Sequence, residues 1–196
     1  KRHPDSKIET NNPKEIWNHL KAGMNNVCNN EKCWLKQQFM DNNLTADLTL
    51  YTFAPSAPEK WIENPNEWLN SNDIIKVMNQ YEHKYDDFEF IGPTPIDFDT
   101  LVNDVCVWPE LCNFDLIKQI KKNKTKIGVI FNLDKHDMGG SHWLTLYVDV
   151  SKKIILFFNS TGEEPTPEIK ALIDRINEQA KSINLELEYL ENKKNH

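Results

Sequence analysis

A histidine and an asparagine stand at the ends of two consecutive segments in which apolar and polar residues alternate. His142 opens the segment HWLTLYVDV, and Asn159 closes the segment KKIILFFNS, which follows after a tight turn near Ser151. Two strands joined by a tight turn run antiparallel, so the start of the first lies beside the end of the second. The spacing therefore predicts that the imidazole and the amide are neighbours.

Such a pair has a defined chemistry. An imidazole can take a proton from a thiol, while an amide oxygen accepts the other ring N–H and fixes the tautomer and tilt of the ring. A Cys-His-Asn or Cys-His-Asp site needs this adjacency and a thiol besides. The alternative is a structural histidine next to an asparagine that serves only a turn.

The second half of the chain supplies the elements that must position the pair. KIGVIFNL predicts a buried strand before the hairpin, and LELEYLEN predicts a fourth strand after it. Between them, Thr166 as N-cap and Pro167 at the first helical position predict a helix. Its apolar stripe consists of Ile169, Leu172, Ile173 and Ile176.

The first half predicts helices instead. Asn12 as N-cap, Pro13 at the first helical position and Gly23 as a stop delimit a short helix, with Trp17 and Leu20 expected to face inward.

Three more helices are expected in the middle of the chain: an amphipathic one from about Ser71 to Tyr85, and two capped near Asp97 and Asn113. Helices followed by a hairpin, a helix and a strand predict an α+β domain around a mostly antiparallel sheet flanked by helices.

Composition excludes several function classes. The chain has 196 residues and a formal net charge of −7, which repels phosphate backbones and argues against a nucleic-acid partner. No run reaches the roughly 18 apolar residues of a membrane span, and the first residues lack the apolar core of a signal peptide. We therefore expect no membrane association and an intracellular location.

The four cysteines do not have the spacing of a usual zinc site. They form the patterns C-x4-C and C-x5-C at Cys28, Cys33, Cys106 and Cys112. Buried or free thiols in a reducing compartment are the expectation, with no metal and no organic cofactor.

Two segments resemble one known family. NLDKHDMGGSHWLTLYVDV followed by IILFFNSTG resembles the His-Trp strand and the acid-bearing strand of the adenain-like and ubiquitin-like-protein-specific cysteine peptidases, which include SUMO-specific and large-DNA-virus proteases. EWLNSNDIIKVM resembles the family's WLND-x-I-I lead into a helix. The resemblance implies a papain-like-superfamily core over residues 61–196, with residues 1–60 as a helical N-terminal extension.

The same resemblance implies roles for four residues. His142 would be the general base. Asn159 would stand where most relatives carry Asp, but viral members that resemble the African swine fever virus protease also carry Asn there. Trp68 and Trp143 would flank a narrow slot that admits glycine, because a residue with a Cβ would clash with the indoles. Core packing is the alternative for both tryptophans. The implied substrate is a polypeptide with a Gly-containing cleavage site.

That substrate would be a virion precursor processed by a viral protease, in the host cytoplasm or the virion, or else a ubiquitin-like protein removed from its conjugates.

The family's nucleophilic cysteine follows the acid by a strand-helix-strand passage, and none of the four cysteines lies C-terminal to Asn159. We expect the nucleophile C-terminal to this chain, which alone would then be inactive. Two rivals remain open. In the first, Cys33, His142 and Asn159 follow one another in the chain order of papain, and Cys33 is the nucleophile. In the second, the protein is a non-catalytic module that binds the tail of a ubiquitin-like protein, or another polypeptide, without cutting it.

Overall fold

The structure is a computed structural model that describes residues 8–28, 31–35, 60–64 and 66–194. It divides the chain into two units, residues 1–59 and residues 60–196. The described part of the first unit contains α1 (Pro13–Met24) and α2 (Glu31–Trp34). The surface connection expected around Pro55 and Pro58 lies outside the described residues.

Helix α1 begins where its capping residues predict. The side chain of Asn12 accepts a hydrogen bond from the Lys14 N–H at 3.0 Å, and Pro13 occupies the first helical position. The prediction that Trp17 and Leu20 face inward is wrong, because they are 40% and 38% exposed. Their helical spacing gives α1 an apolar face, but the helix buries no residue.

The second unit contains the sheet and the remaining described elements. Its helices are α3 (Lys60–Glu63), α4 (Ser71–Lys84), α5 (Pro109–Cys112), α6 (Leu116–Lys121) and α7 (Pro167–Lys181). Its strands are β1 (Phe88–Pro95), β2 (Leu101–Val102), β3 (Val105–Cys106), β4 (Lys126–Asn132), β5 (Trp143–Asp149), β6 (Ile154–Phe158) and β7 (Glu188–Glu191).

Five strands form one mixed sheet in the order β1-β4-β5-β6-β7, while β2 and β3 pair as a separate hairpin. The predicted α+β class, with helices flanking a sheet, is confirmed. The sheet is antiparallel at β4-β5-β6 but parallel at both edges, where β1 pairs with β4 and β7 pairs with β6, rather than mostly antiparallel. The parallel pairs arise because a helix-containing connection precedes each pairing.

The helix predicted to be capped near Asp97 is wrong. Residues 88–95 form strand β1, and Asp97 lies in the turn after it. Strand β1 contains Pro93 and Pro95, and proline is accepted in an edge strand, where a missing N–H need not break a ladder. The other helix begins at Leu116 and is capped by Asp115, whose side chain accepts from the Lys118 N–H, so its cap lies two residues after Asn113.

Alternation along β5 separates two apolar layers. Leu144, Leu146 and Val148 join the main core, to which α7 contributes its predicted stripe of Ile169, Leu172, Ile173 and Ile176. On the other face, Trp143 and Tyr147 pack against a smaller cluster under α4 that contains Ile74, Phe88 and Phe90. Side chains of a strand alternate between faces, so consecutive residues at the start of β5 serve different layers.

Candidate active site

The register of the β5–β6 hairpin explains why its open end brings two polar side chains together. Thr145 pairs with Phe158 and Leu146 pairs with Phe157. Continuing this register places Asn159 opposite Leu144, two positions inside His142, so that His142 and Asn159 share one face as diagonal neighbours. That face is the one that carries the main core.

The two predicted residues are in hydrogen-bond contact. His142 Nε2 lies 2.9 Å from Asn159 Oδ1. Asn159 is only 4% exposed, whereas His142 is partly exposed. The amide is thus held at the margin of the core, and the ring reaches from it toward solvent.

The turn after β6 fixes the orientation of the Asn159 amide. Its Oδ1 accepts from the Thr161 backbone N–H at 3.1 Å, and the Thr161 hydroxyl lies 2.9 Å from the same oxygen. Its Nδ2 donates to the carbonyl of Glu163 at 3.3 Å. A flipped amide would point its NH₂ at the Thr161 N–H and its oxygen at a carbonyl, so the network excludes it.

This orientation determines the tautomer of the histidine. Because Asn159 presents an oxygen, which can only accept, the neutral His142 ring must carry its proton on Nε2 and donate it. Nδ1 then keeps its lone pair. The ring is arranged to accept a proton from a third group, which is the chemical requirement for a general base.

A tightly bonded loop, residues 133–141, leads into His142. Asn132 Oδ1 accepts from the N–H groups of Asp134 at 2.9 Å and Ser141 at 3.3 Å, and the Ser141 hydroxyl donates to Asp134 at 2.7 Å. Gly140 has φ +88°, and a Cβ there would lie 2.5 Å from the Asn132 amide nitrogen. Glycine is therefore required for the loop to close over Asn132.

A carboxylate anchors the middle of the same loop. Asp97 accepts from the backbone N–H of His136 at 2.9 Å and lies 2.7 Å from His136 Nδ1. Burial raises the pKa of Asp97, but the hydrogen bonds from the side chain and backbone of His136 outweigh it, so that pKa lies below its ordinary value. Asp97 is therefore an anchor for this loop rather than the helix cap that the sequence suggested.

The two tryptophans lie in different surroundings. Trp143 packs its ring partly against the cluster under α4, and its indole N–H donates to the carbonyl of Leu69 at 3.1 Å. Trp68, next to Leu69 in the chain, is 75% exposed. The alternative prediction that Trp68 packs in the core is therefore wrong. Trp143 is partly packed, and its hydrogen bond to Leu69 links it to the segment that carries Trp68.

A cleft of about 340 Å³ lies beside Trp143. Its walls come from α4, the end of β1, the segment before α5, and the 133–141 loop, and its lining residues include Ser71, Thr94, Trp108, Met138, Gly140 and Trp143. It mixes apolar with polar groups and is open to solvent, as a groove for an extended peptide would be.

The cysteines differ from the expectation of free thiols. Cys28 pairs with Cys33 and Cys106 pairs with Cys112, and no cysteine in the structure has a free thiol. Their α-carbons are 5.5 Å and 6.3 Å apart, within the range that a disulfide spans. The papain-like order that would use Cys33 as nucleophile finds no free thiol at that position.

Within the described ranges, no group of three or more His, Cys, Asp or Glu side chains is placed to hold a metal ion. None of the helices there combines the length and the apolar character needed to cross a membrane.

Sequence comparison finds a viral relative. A protein of Acanthamoeba polyphaga mimivirus, named as a candidate thiol protease, is 31% identical over 166 residues, which are 83% of this chain and 52% of that protein. The chain thus spans about half the length of the curated relative it matches. No protein-family model matches the chain.

Structural comparison finds viral and cellular proteases. The crystal structure of the African swine fever virus protease superposes with a TM-score of 0.55, covering 94% of this chain and 74% of that chain at 18% identity. A SUMO protease with an oxidized catalytic cysteine gives a TM-score of 0.43 over 65% of this chain and 58% of its own, which is too low to carry an argument.

The chain therefore has the α+β fold of the African swine fever virus protease, with a sheet flanked by helices. The particular proteins that the chain resembles are thus a candidate thiol protease of mimivirus, by sequence, and the African swine fever virus protease, by fold.

Sequence reasoning missed the groups that hold the predicted pair. Thr161 could have been found, because asparagine followed two residues later by a hydrogen-bonding partner is typical of a side-chain-closed turn. Asn192 donates to the Asn159 carbonyl at 2.6 Å and accepts from its N–H at 2.8 Å. No local pattern predicts this contact, because it depends on the parallel pairing of β7 with β6.

Proposed function

We propose that the protein is a cysteine endopeptidase that cleaves polypeptides at Gly-containing sites and processes viral precursor proteins. The observation that carries the proposal is the 2.9 Å contact between His142 Nε2 and Asn159 Oδ1, with the amide orientation fixed by Thr161. In this role His142 takes the proton of a cysteine thiol, and later gives it to the leaving amine. Residues 61–196 are then the peptidase core, and residues 1–60 an extension.

Asn159 has a limited electrostatic part in this mechanism. A neutral amide orients the ring but brings no negative charge, so the imidazolium is stabilised mainly by the thiolate that it helps to form. The site would work as an ion pair of thiolate and imidazolium, as in other Cys-His-Asn systems. Oriented in this way, Nδ1 is the atom that must face the thiol.

The tryptophans support a narrow substrate entrance. Trp68 is 75% exposed, and a large apolar side chain in that position is available to contact a partner. The Trp143 N–H bond to Leu69 ties the Trp68 segment to the strand that carries His142. We assign both indoles to the walls of a slot through which glycine residues pass next to the scissile bond.

The nucleophile in this proposal is a cysteine C-terminal to residue 196. The support is that both described cysteine pairs are disulfides, while the imidazole already has its orienting partner. The viral relatives favour action in the host cytoplasm or the virion. The intact mass of the natural protein tests whether a further segment with a cysteine exists.

The principal test uses the full-length natural protein and its His142→Ala variant on a Gly-Gly and a Gly-x-Gly peptide. Loss of the base should lower kcat/KM by at least about a thousandfold, in the range seen when one member of a catalytic triad is removed. His83→Ala is the matched control, since His83 lies on α4 with its Nδ1 2.7 Å from the Asn79 carbonyl and outside the site. Near-normal hydrolysis by His142→Ala would refute the proposal.

A second test concerns substrate selection. Trp143→Ala should relax the discrimination against residues with a Cβ next to the scissile bond, while Trp143→Phe should keep most of it. Specificity is measured as the ratio of kcat/KM for Gly-Gly and Ala-Ala peptides. An unchanged ratio in Trp143→Ala would return this residue to a packing role. A preference for a folded ubiquitin-like protein over short peptides would indicate deconjugation instead of precursor processing.

A non-catalytic peptide-binding module is the second candidate. It is favoured by the combination of an exposed Trp68, an open cleft beside Trp143 and the absence of a free thiol among the described cysteines. If the natural protein contains no further cysteine, and binds Gly-Gly peptides without hydrolysing them, this candidate replaces the enzyme.

A further inference from the structure

The side chain of Asn192 continues the β6–β7 pairing past the point where the strands stop. The parallel ladder runs from Ile154 with Glu188 to Phe157 with Glu191. One step further, Asn192 Oδ1 accepts from the Asn159 N–H at 2.8 Å, and its Nδ2 donates to the Asn159 carbonyl at 2.6 Å. The side-chain amide takes the place that a peptide group of β7 would otherwise occupy.

These two contacts hold Asn159 on both sides of its α-carbon. A residue whose N–H and C=O are both fixed has little freedom in φ and ψ, so the direction of its Cα–Cβ bond is set. The Gly162 N–H donates to the same Asn159 carbonyl at 2.8 Å, which adds a third restraint. The backbone contacts therefore set the direction in which the Asn159 side chain leaves the backbone.

The side-chain contacts of Asn159 fix its amide within the turn, but they do not fix the turn relative to the neighbouring strand β7. Thr161 and Glu163 follow Asn159 in the same turn, so they move with it. Asn192 directly follows β7 and ties the start of the turn to the end of that strand. Asn159 directly follows β6, which pairs with the His142 strand β5, so this contact from β7 restrains Asn159 at the point where the β6 ladder stops.

We infer that Asn192 is a positioning residue that sets the tautomer of His142 by holding the backbone of Asn159. This inference rests on the proposed function as far as catalysis is concerned, but the tautomer itself can be measured without activity. The Nδ2 of Asn192 also donates to the Lys194 carbonyl at 3.1 Å. Asn192 touches neither the imidazole nor a substrate in this assignment.

The experiment measures the His142 ring by long-range ¹H–¹⁵N correlation spectroscopy on the ¹⁵N-labelled chain, at a pH where the ring is neutral. The wild type should show an almost pure Nε2–H tautomer. Asn192→Ala should shift the ring toward a mixture in which the Nδ1–H form is readily seen. Tyr189→Phe is the matched control, since it removes a hydrogen bond of 2.8 Å to Glu191 within β7 and leaves Asn159 untouched.

Folding is checked by circular dichroism and thermal melting of each variant. Asn192→Ser, which retains a hydroxyl but is too short to reach both Asn159 groups, serves as the second variant and should give the same shift. An unchanged tautomer in a folded Asn192→Ala or Asn192→Ser chain would overturn the inference. Failure of both variants to fold would also overturn it, because Asn192 would then be a residue of general structural importance.

Steady-state kinetics of the full-length protein test whether the positioning role of Asn192 affects catalysis. Asn192→Ala should lower kcat by on the order of tenfold to a hundredfold, as misplacement of a catalytic group does, with KM nearly unchanged. A shifted tautomer in a protein whose His142→Ala variant still hydrolyses peptides would leave the positioning role intact and refute the proposed function. A normal tautomer in Asn192→Ala, together with hydrolysis that depends on His142, would refute the positioning role and leave the proposed function intact.

Discussion

At the closed end of the β5–β6 hairpin, Asp149 accepts a hydrogen bond from the Lys152 N–H at 2.9 Å, and at the open end Asn159 accepts one from the Thr161 N–H at 3.1 Å. Both side chains are buried, with 1% and 4% of their surface exposed. Both close a turn at the end of a strand by the same contact between a side-chain oxygen and a backbone N–H.

The difference lies in what else reaches the oxygen. The second partner of Asp149 is the Tyr147 hydroxyl at 3.5 Å, which belongs to its own strand. Asn159 has His142 across the hairpin at 2.9 Å. A common turn-closing contact thus becomes an orienting group for an imidazole when register places a histidine beside it. The choice of amide over carboxylate also matters, because only the amide can donate to Glu163 and be locked in one orientation.

Replacing Asn159 with Leu should have the largest effect, because it removes the turn contact and the contact with His142 together. We expect hydrolysis of a Gly-Gly peptide by the full-length protein to fall by on the order of 10²- to 10⁴-fold, as for other orienting residues. Stability should also fall by about 1–3 kcal/mol, measured by urea unfolding, because buried donors lose their acceptor. Activity that falls only in proportion to the unfolded fraction would make the two ends of the hairpin equivalent.

Replacing Asp149 with Leu should affect stability alone. The Lys152 N–H and the Tyr147 hydroxyl lose a buried acceptor, and we expect a loss of about 1–3 kcal/mol in the free energy of unfolding. The kcat of the folded fraction should match the wild type. A large loss of kcat at unchanged stability would show that the closed end also serves the site, and would contradict the comparison.

The open end could be predicted from the sequence because its geometry is local. Alternation gave the strands, a tight turn gave their direction, and His142 and Asn159 then had to meet. Strand β1 could not be recognised, because its prolines are equally typical of a helix start and its pairing with β4 joins residues such as Phe88 and Lys126 that are far apart in sequence.

The groups that hold the site follow the same division. Asn192 meets Asn159 through a parallel pairing, and Asp97 meets His136 across 39 positions, so no short motif contains either contact. The exposure of Trp68 was undecided for a related reason: a short motif gives the residue type, whereas burial depends on which elements cover it. The contact between His142 and Asn159 could be predicted because a single hairpin brings the two residues together. The contacts of Asn192 and Asp97 could not be predicted because they join segments that are distant in sequence.

The closed end should also differ from the open end in its response to alkali. Burial, followed by the charge and hydrogen bond of Asp149, raises the pKa of Tyr147 from 10.0 to about 12. The unfolded chain releases this proton at lower pH than the folded one, so the folded state loses stability as pH rises from 10.0 toward about 12.

In Asp149→Asn the charge contribution disappears, and the pKa of Tyr147 should fall toward its ordinary value. The ultraviolet absorbance of tyrosinate, followed in a pH titration of both proteins, measures the shift. An identical titration curve would mean that burial and the charge of Asp87 account for the raised pKa without Asp149, and that Asp149 serves the turn only.

Replacing Thr161 with Val should give the smallest effect and the finest separation of the two duties of Asn159. The change removes the hydroxyl that lies 2.9 Å from Oδ1 but keeps the backbone N–H that closes the turn. We expect a loss of about 0.5–1.5 kcal/mol in stability, as for one hydrogen bond, and a fall of only a few fold in kcat, since the amide keeps its orientation through Glu163. Thr161→Ser, which keeps the hydroxyl, should behave as the wild type in both measurements. If Ser were impaired and Val were not, the methyl group and its packing would matter instead of the hydroxyl, and the Asn159 oxygen would depend on the backbone turn alone.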